Sequence, residues 1–131
     1  MNNKVFLGGT CNNSTWRNNL IKLLTCSYFN PVVEDWTEEC YLEELQQRKS
    51  CDYCLYVITP NMTGVYSIAE VVDDSNKRPK KTLFCILDTD INGEFNVSQM
   101  KSLSAVQKMI VNNGGKSFIS LEEIANFLNG N

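Results

Sequence analysis

The stretch Cys51-Asp-Tyr-Cys-Leu-Tyr-Val-Ile58 is the longest strand-like run in the sequence. Its apolar character is nearly unbroken, which is typical of a central parallel strand covered by helices on both faces. Shorter strand-like runs lie on either side of it in the chain, at residues 4–7, 28–33, 82–87 and 116–119. The long run therefore predicts an α/β fold in which residues 51–58 form a central strand of the sheet.

Helical patterns separate these strand-like runs. An amphipathic pattern follows Asn13 or Ser14, and Asp35 with Glu38 has the spacing of a capping box. The predicted helices cover residues 13–25, 35–49, 67–75, 98–111 and 120–128. Strands that alternate with helices in this way predict a parallel sheet. We expect one α/β domain over residues 1–131, a doubly wound five-stranded parallel sheet of flavodoxin- or Rossmann-like type with helices on both faces.

The composition excludes several kinds of chemistry. The 131 residues contain no histidine, which rules out Ser-His-Asp and Cys-His catalysis and histidine-ligated metals. The 12 Lys and Arg against 15 Asp and Glu give a net charge of -3, which disfavours a nucleic acid polymer as partner. No apolar run approaches the roughly 18–20 residues of a membrane span, and the N-terminal residues lack a signal-peptide pattern. We expect a soluble, cytoplasmic protein with no membrane partner.

The six cysteines suggest packing more than chemistry. Several lie in apolar runs such as Cys-Leu-Tyr-Val-Ile58, where a thiol behaves as a small buried hydrophobe. Cys51 and Cys54 have the CxxC spacing of redox and metal sites, but no second pair and no histidine completes a set of four ligands. We interpret the cysteines as reduced packing residues and predict a site without metal or cofactor. A redox or metal protein is the competing interpretation.

Ligands of doubly wound sheets bind outside the carboxyl ends of the strands, which directs attention to residues 8–14, 31–36 and 59–67. Gly8, Gly9 and Thr10 end the first strand, where glycines let the backbone approach a ligand closely. They form neither a GxGxxG nor a Walker motif, and an ordinary strand-to-helix turn would use them as well. Trp16 either stacks on a base or belongs to the core.

The segment from Asn61 to Glu70 is the most informative of the three. Gly64, followed by Ser67 as a helix cap, would aim free N–H groups at the cleft and suit an anion or a polar ligand edge. Glu70 then has two interpretations, a reacting carboxylate or the partner of Ser67 in a capping box. Asp52 is costly in an apolar strand unless it is paired, so it lies either in the site or on the solvated amino-terminal edge.

Together these residues resemble the nucleoside 2-deoxyribosyltransferase family. The resemblance is carried by four segments in order, Val5-Phe-Leu-Gly-Gly9, Asn30-Pro31, the run from Cys51 to Pro60, and Gly64-Val-Tyr-Ser-Ile-Ala-Glu70. It implies a small-molecule nucleoside or nucleotide as substrate, and a homodimer or larger homo-oligomer because relatives assemble.

The resemblance also implies roles for individual residues. Glu70 matches the family's nucleophile, which attacks the anomeric carbon of a 2'-deoxynucleoside, so that the base leaves and a second base or water captures the sugar. Asp52 would handle the proton of the leaving base. For a 5'-phosphate substrate, residues 8–14, Ser67 and Arg17 would hold the phosphate.

Two positions depart from the family pattern. Phe6 replaces a tyrosine that orients the nucleophile, and Thr63-Gly64 carries no acid where the family has one. An enzyme acting on the N-glycosidic bond is the first interpretation. A catalytically inactive nucleotide-binding or regulatory module on the same fold is the alternative.

Overall fold

The computed structural model describes residues 3–11, 13–91 and 93–130, and its centre is a parallel sheet. Five strands lie in the order β2-β1-β3-β4-β7, and every neighbouring pair is parallel. A separate antiparallel hairpin, β5 with β6, follows β4. The strands are β1 (Lys4–Gly9), β2 (Ser27–Phe29), β3 (Tyr53–Ile58), β4 (Thr82–Ile86), β5 (Thr89–Asp90), β6 (Gly93–Glu94) and β7 (Lys116–Phe118).

Five α-helices connect these strands in the described part of the chain. They are α1 (Trp16–Ile21), α2 (Glu38–Ser50), α3 (Tyr66–Lys77), α4 (Val97–Asn112) and α5 (Leu121–Leu128), with a short 3-10 turn at Pro79–Lys81. The order confirms the predicted doubly wound α/β fold. It also places the chain reversal between β1 and β3, at the carboxyl ends of these strands.

Successive residues of the strands enter opposite faces of the sheet, so two cores form. Helices α1 and α5 cover the first core, which contains the buried residues Val5, Leu7, Trp16, Leu20, Leu55, Val57, Leu83, Cys85, Phe118, Ile124, Ala125 and Leu128. Helices α3 and α4 cover the second, which contains Phe6, Cys51, Cys54, Tyr56, Ile58, Val71, Phe84, Leu103 and Ile110. Burial of both sets explains why the β3 run carries almost no polar residue.

The cysteines are free, and they differ in burial. Cys51, Cys54 and Cys85 are buried, as predicted, Cys26 and Cys40 are half-buried, and Cys11 is exposed. Burial raises the pKa of Cys54 and of Cys85 to about 12, so both thiols stay protonated and unreactive. Packing is therefore confirmed for the three buried cysteines, whereas the exposed Cys11 is not a core residue.

Several predicted boundaries are wrong for local reasons. The cap of α2 is Thr37, whose Oγ1 accepts the Cys40 N–H at 3.2 Å, so Asp35 does not form the predicted capping box. Strand β2 ends at Phe29, before Pro31, which has no N–H for a ladder. The β5–β6 hairpin lies between the strand predicted at 82–87 and the helix predicted at 98–111, where no strand was predicted. No helix in the described ranges is long and apolar enough to cross a bilayer.

Candidate active site

A cleft lies at the carboxyl ends of β1 and β3 and continues between α2 and α3. It consists of two adjoining cavities that share Cys11 and Tyr66. The larger, of about 400 Å³, is lined by Cys11, Pro31, Val32, Val33, Trp36, Tyr41, Glu44, Tyr66 and Glu70. The smaller, of about 260 Å³, is lined by Gly9, Thr10, Cys11, Met62, Thr63, Gly64, Tyr66 and Ser67. The three loops singled out from the sequence all contribute to this cleft.

Glu70 lies in the second turn of α3 and lines the larger cavity. The cap position of the helix is Val65, and no side chain forms a cap hydrogen bond there. Ser67 is therefore inside the helix, and the capping-box interpretation of Ser67 and Glu70 is wrong. The side chain of Glu70 is only 12% exposed. A largely buried carboxylate that caps nothing needs another explanation.

A buried charge cluster stands behind Glu70. Arg48 Nη1 lies 3.7 Å from Glu70 Oε2, and Arg48 Nη2 lies 2.9 Å from Asp74 Oδ1. The Tyr56 hydroxyl donates to Asp74 Oδ2 at 2.5 Å, and Arg78 also pairs with Asp74. Asp74 is fully buried, so these donors compensate the cost of removing its charge from water. The cluster joins α2, α3 and β3 beneath the cleft.

The surroundings of Glu70 perturb its ionisation. Burial raises the pKa of Glu70 to about 7, and Arg48 is the main group that opposes this rise. The nearby carboxylates of Glu44 and Asp74 raise the pKa further, while Arg17 lowers it. A carboxyl group with a pKa near neutrality, inside a cleft, is typical of a reacting group.

Aromatic side chains form the outer wall of the larger cavity. The rings of Trp36 and Tyr41 meet edge to face with centroids 5.7 Å apart, and Trp36 hydrogen-bonds Glu44. Trp36 is 59% exposed and Tyr66 is 57% exposed, which is unusual for large aromatic side chains. This wall offers flat faces on which a planar ring can stack.

Sequence reasoning missed four residues that α2 and the loop before it contribute to this site, although the loop at 31–36 was singled out. They are Trp36, Tyr41, Glu44 and Arg48. Tyr41, Glu44 and Arg48 are spaced i, i+3, i+7, which places them on one face of α2. That spacing was the signal available in the sequence. It was overlooked because α2 has few apolar residues to mark its buried face.

Gly8 and Gly9 are explained by packing between strands. A Cβ at Gly8 would lie 2.6 Å from the Tyr56 ring, and one at Gly9 would lie 2.1 Å from the Val57 carbonyl oxygen. Gly9 also has a φ of +113°, which favours glycine. Thr10 N donates to Val57 O at 2.9 Å, so β1 is locked to β3 at the edge of the cleft. Gly9 and Thr10 nevertheless line the smaller cavity, whereas Gly8 does not.

Trp16 and Arg17 are structural, which corrects two predictions. Trp16 is 3% exposed in the first core and donates its Nε1–H to Thr10 O at 2.8 Å, so no base can stack on it. The buried Arg17 donates from Nε to Leu7 O at 2.9 Å and from Nη2 to Gly9 O at 3.2 Å. Its guanidinium therefore supports the backbone of the cleft from behind and is not available to a phosphate.

Asp52 lies at the opposite edge of the sheet from Glu70. It is exposed and accepts the Lys4 N–H at 2.8 Å, just before β3 begins. A strand rises about 3.3 Å per residue, so the six residues of β3 separate Asp52 from the cleft by about 20 Å. Asp52 therefore does not lie near Glu70. Of the two interpretations of Asp52, the position on the solvated amino-terminal edge of the sheet is the correct one.

The remaining predicted residues lie in the loop after β3 and in the first turn of α3. Gly64 and Ser67 line the smaller cavity near the start of α3. Asn61 lines neither cavity, and its Nδ2 donates to Asn13 O at 2.6 Å, which ties two cleft loops together. Among residues 3–11, 13–91 and 93–130, no group of three or more Cys, Asp or Glu could hold a metal ion.

A protein-family model matches more than half of the chain. The searches of curated proteins and of solved structures gave no match. A family model described as "nucleoside 2-deoxyribosyltransferase like" matches residues 2–89, a range that includes β1, the aromatic wall, Arg48 and Glu70. The chain therefore belongs to the nucleoside 2-deoxyribosyltransferase-like family.

Proposed function

We propose that the protein cleaves or transfers the N-glycosidic bond of a 2'-deoxynucleoside, or of its 5'-phosphate, with Glu70 as the nucleophile. The observation that carries this proposal is the position of Glu70. Its carboxylate is nearly buried, caps no helix and lines a cavity of about 400 Å³ beside exposed aromatic rings. Membership of the family supports the same reaction class.

The proposed reaction has two steps. A Glu70 oxygen bonds to the anomeric carbon while the bond to the base nitrogen breaks, and the electron pair leaves with the base, which takes a proton from water. Water or a second base then attacks the glycosyl ester and releases the carboxylate, as in retaining glycoside hydrolysis. In this arrangement the base stacks against Trp36 or Tyr66, and the 5' side of the sugar faces the smaller cavity at the start of α3.

The second candidate is a catalytically inactive nucleotide-binding or regulatory module. Two observations favour it. Phe6 is buried without a hydroxyl, and Thr63-Gly64 supplies no carboxylate ahead of α3. Such a module would bind a nucleoside or nucleotide in the same cleft without releasing its base.

Base release separates these candidates directly. The protein is incubated with each 2'-deoxynucleoside and each 2'-deoxynucleoside 5'-phosphate, with and without a second free base, and the products are separated by chromatography. We expect free base or an exchanged nucleoside from at least one substrate. Binding of a nucleoside without product from any substrate would instead establish the inactive module.

The pH dependence of base release is a further prediction. Only the ionised form of Glu70 attacks, and burial raises its pKa to about 7. As the pH drops below that value, the ionised fraction of Glu70 decreases. We therefore expect kcat/KM to fall about tenfold per pH unit below about pH 6 and to level off above about pH 8. A rate that stays constant from pH 5 to pH 8 would contradict this assignment.

A further inference from the structure

We propose that Arg48, anchored by Asp74 and Tyr56, is a positioning residue that stabilises the ionised form of the Glu70 carboxylate and holds it at the wall of the cavity. This inference rests on the proposed function, because it concerns the same carboxylate. It concerns a residue of α2, whereas the sequence pattern directed attention to the loops and to α3.

The first step is the way in which Arg48 is held. Its side chain is 6% exposed, and Nε and Nη2 both reach Asp74, at 3.4 and 2.9 Å. Nη2 also lies 3.2 Å from Asp73 Oδ2. This fork-like pairing fixes the plane of the guanidinium, which a lysine could not do. Nη1 is left on the side of Glu70.

The second step is the anchor beneath Asp74. The fully buried Tyr56 hydroxyl donates to Asp74, and burial together with this carboxylate raises the pKa of Tyr56. Tyr56 therefore remains a donor throughout the ordinary pH range. Because Tyr56 belongs to β3, the central strand fixes Asp74, and Asp74 fixes Arg48. Glu70 and Asp74 are four residues apart on α3, so the helix holds the two carboxylates in one register.

The third step concerns the contact with Glu70 itself. Its 3.7 Å separation from Arg48 Nη1 is within ion-pair range but longer than a hydrogen bond. Arg48 therefore stabilises the negative charge without occupying a lone pair of the oxygen by a close hydrogen bond. A carboxylate held in this way stays free to form a bond with carbon.

Other charged or titratable groups also face Glu70. They are Tyr41 and Glu44 on α2, Tyr66 and Asp74 on α3, Arg17 on α1, and Cys11 after β1. The carboxylates act against ionisation, and the guanidinium of Arg17 is directed to backbone carbonyls. Arg48 is therefore the main cation that supports the charge of Glu70, and Arg17 contributes less.

The test follows the ionisation of Glu70 in the substrate-free protein. Side-chain carboxyl ¹³C signals of labelled glutamate are titrated by NMR, and the signal missing from Glu70→Gln identifies Glu70. In Arg48→Met, the Glu70 midpoint should rise by about 1–3 pH units. The acidic limb of the kcat/KM profile should move by the same amount, because kcat/KM also reports the substrate-free protein, and KM above the midpoint should change little. Arg48→Lys should shift the midpoint less, so that its loss of kcat/KM at pH 6 largely disappears at pH 8.

Arg78→Met is the matched control. Arg78 also pairs with Asp74, and no ion pair joins it to Glu70 among the described residues. It should lower the thermal stability as Arg48→Met does, but move the Glu70 midpoint by less than a third as much. Equal shifts in both variants, or an unchanged midpoint in Arg48→Met, would overturn the proposal.

The test also applies if Arg48→Met does not fold or if the wild-type protein shows no turnover. If Arg48→Met does not fold, the Glu70 midpoint is measured in Arg48→Lys instead. An unchanged midpoint in that variant overturns the proposed role of Arg48. The NMR titration does not require turnover. Absence of base release by the wild-type protein would therefore refute the proposed function, while the titration still decides how Arg48 acts on Glu70.

Discussion

Glu70→Gln is expected to lower kcat/KM for base release by at least about 10³-fold while leaving the fold intact. Glutamine has nearly the same shape, but its amide cannot form the glycosyl ester on which the proposed reaction depends. Thermal stability should change little, because Glu70 caps no helix and Arg48 keeps its pairs with Asp73 and Asp74. Base release is measured by chromatography and stability by thermal unfolding.

Glu43→Gln is the matched control for this variant. Glu43 is exposed on α2, and its carboxylate accepts from Gln47 Nε2 at 3.0 Å outside the cleft. Its turnover should remain within about twofold of the wild type, since surface substitutions away from a site change little. A Glu70→Gln protein that keeps turnover within tenfold of the wild type would remove Glu70 from the reaction.

Asp74→Ala should lower the free energy of unfolding by about 3–5 kcal/mol, the typical cost of breaking a buried ion pair from one side. The substitution leaves Arg48 and the Tyr56 hydroxyl without their buried partner. This is a large part of the roughly 5–15 kcal/mol that stabilises an ordinary domain. Denaturant unfolding with two spectroscopic probes measures it.

Asp73→Ala distinguishes the buried carboxylate from its exposed neighbour. The Asp73 side chain is 42% exposed and pairs with Lys77 and Arg48. Ion pairs in contact with water contribute little, so this variant should lose less than about 1 kcal/mol. If Asp74→Ala and Asp73→Ala lower the free energy of unfolding equally, the buried pairing of Asp74 does not stabilise the fold as we expect.

The fold could be predicted because its signals are repeated along the chain. The run that ends at Ile58 is apolar on both faces, and both faces are buried in the structure. The helix starts were harder, because a cap is one local hydrogen bond for which several residues compete. Thr37 caps α2 where Asp35 was expected, and Val65 precedes α3 where Ser67 was expected.

The site was predicted in part, because the loops follow from topology but the partners of charged residues do not. Glu70 was found from its motif and lies in the cleft. Asp52 was chosen for its position beside an apolar run, yet it lies at the other edge of the sheet. In the sequence, nothing distinguishes Asp74 and Arg48 from ordinary charged residues of helices. Their pairing joins residues 26 positions apart, which no local pattern encodes.

The most direct test of the proposed function is to detect the bond between Glu70 and the sugar. The protein is mixed with a 2'-deoxynucleoside that it turns over, quenched in acid within the first turnovers and analysed by mass spectrometry after proteolysis. We predict that a deoxyribosyl group is attached to Glu70 in the wild type and that no such adduct forms in Glu70→Gln. Base release without any adduct, or an adduct on another residue, would contradict Glu70 as the nucleophile.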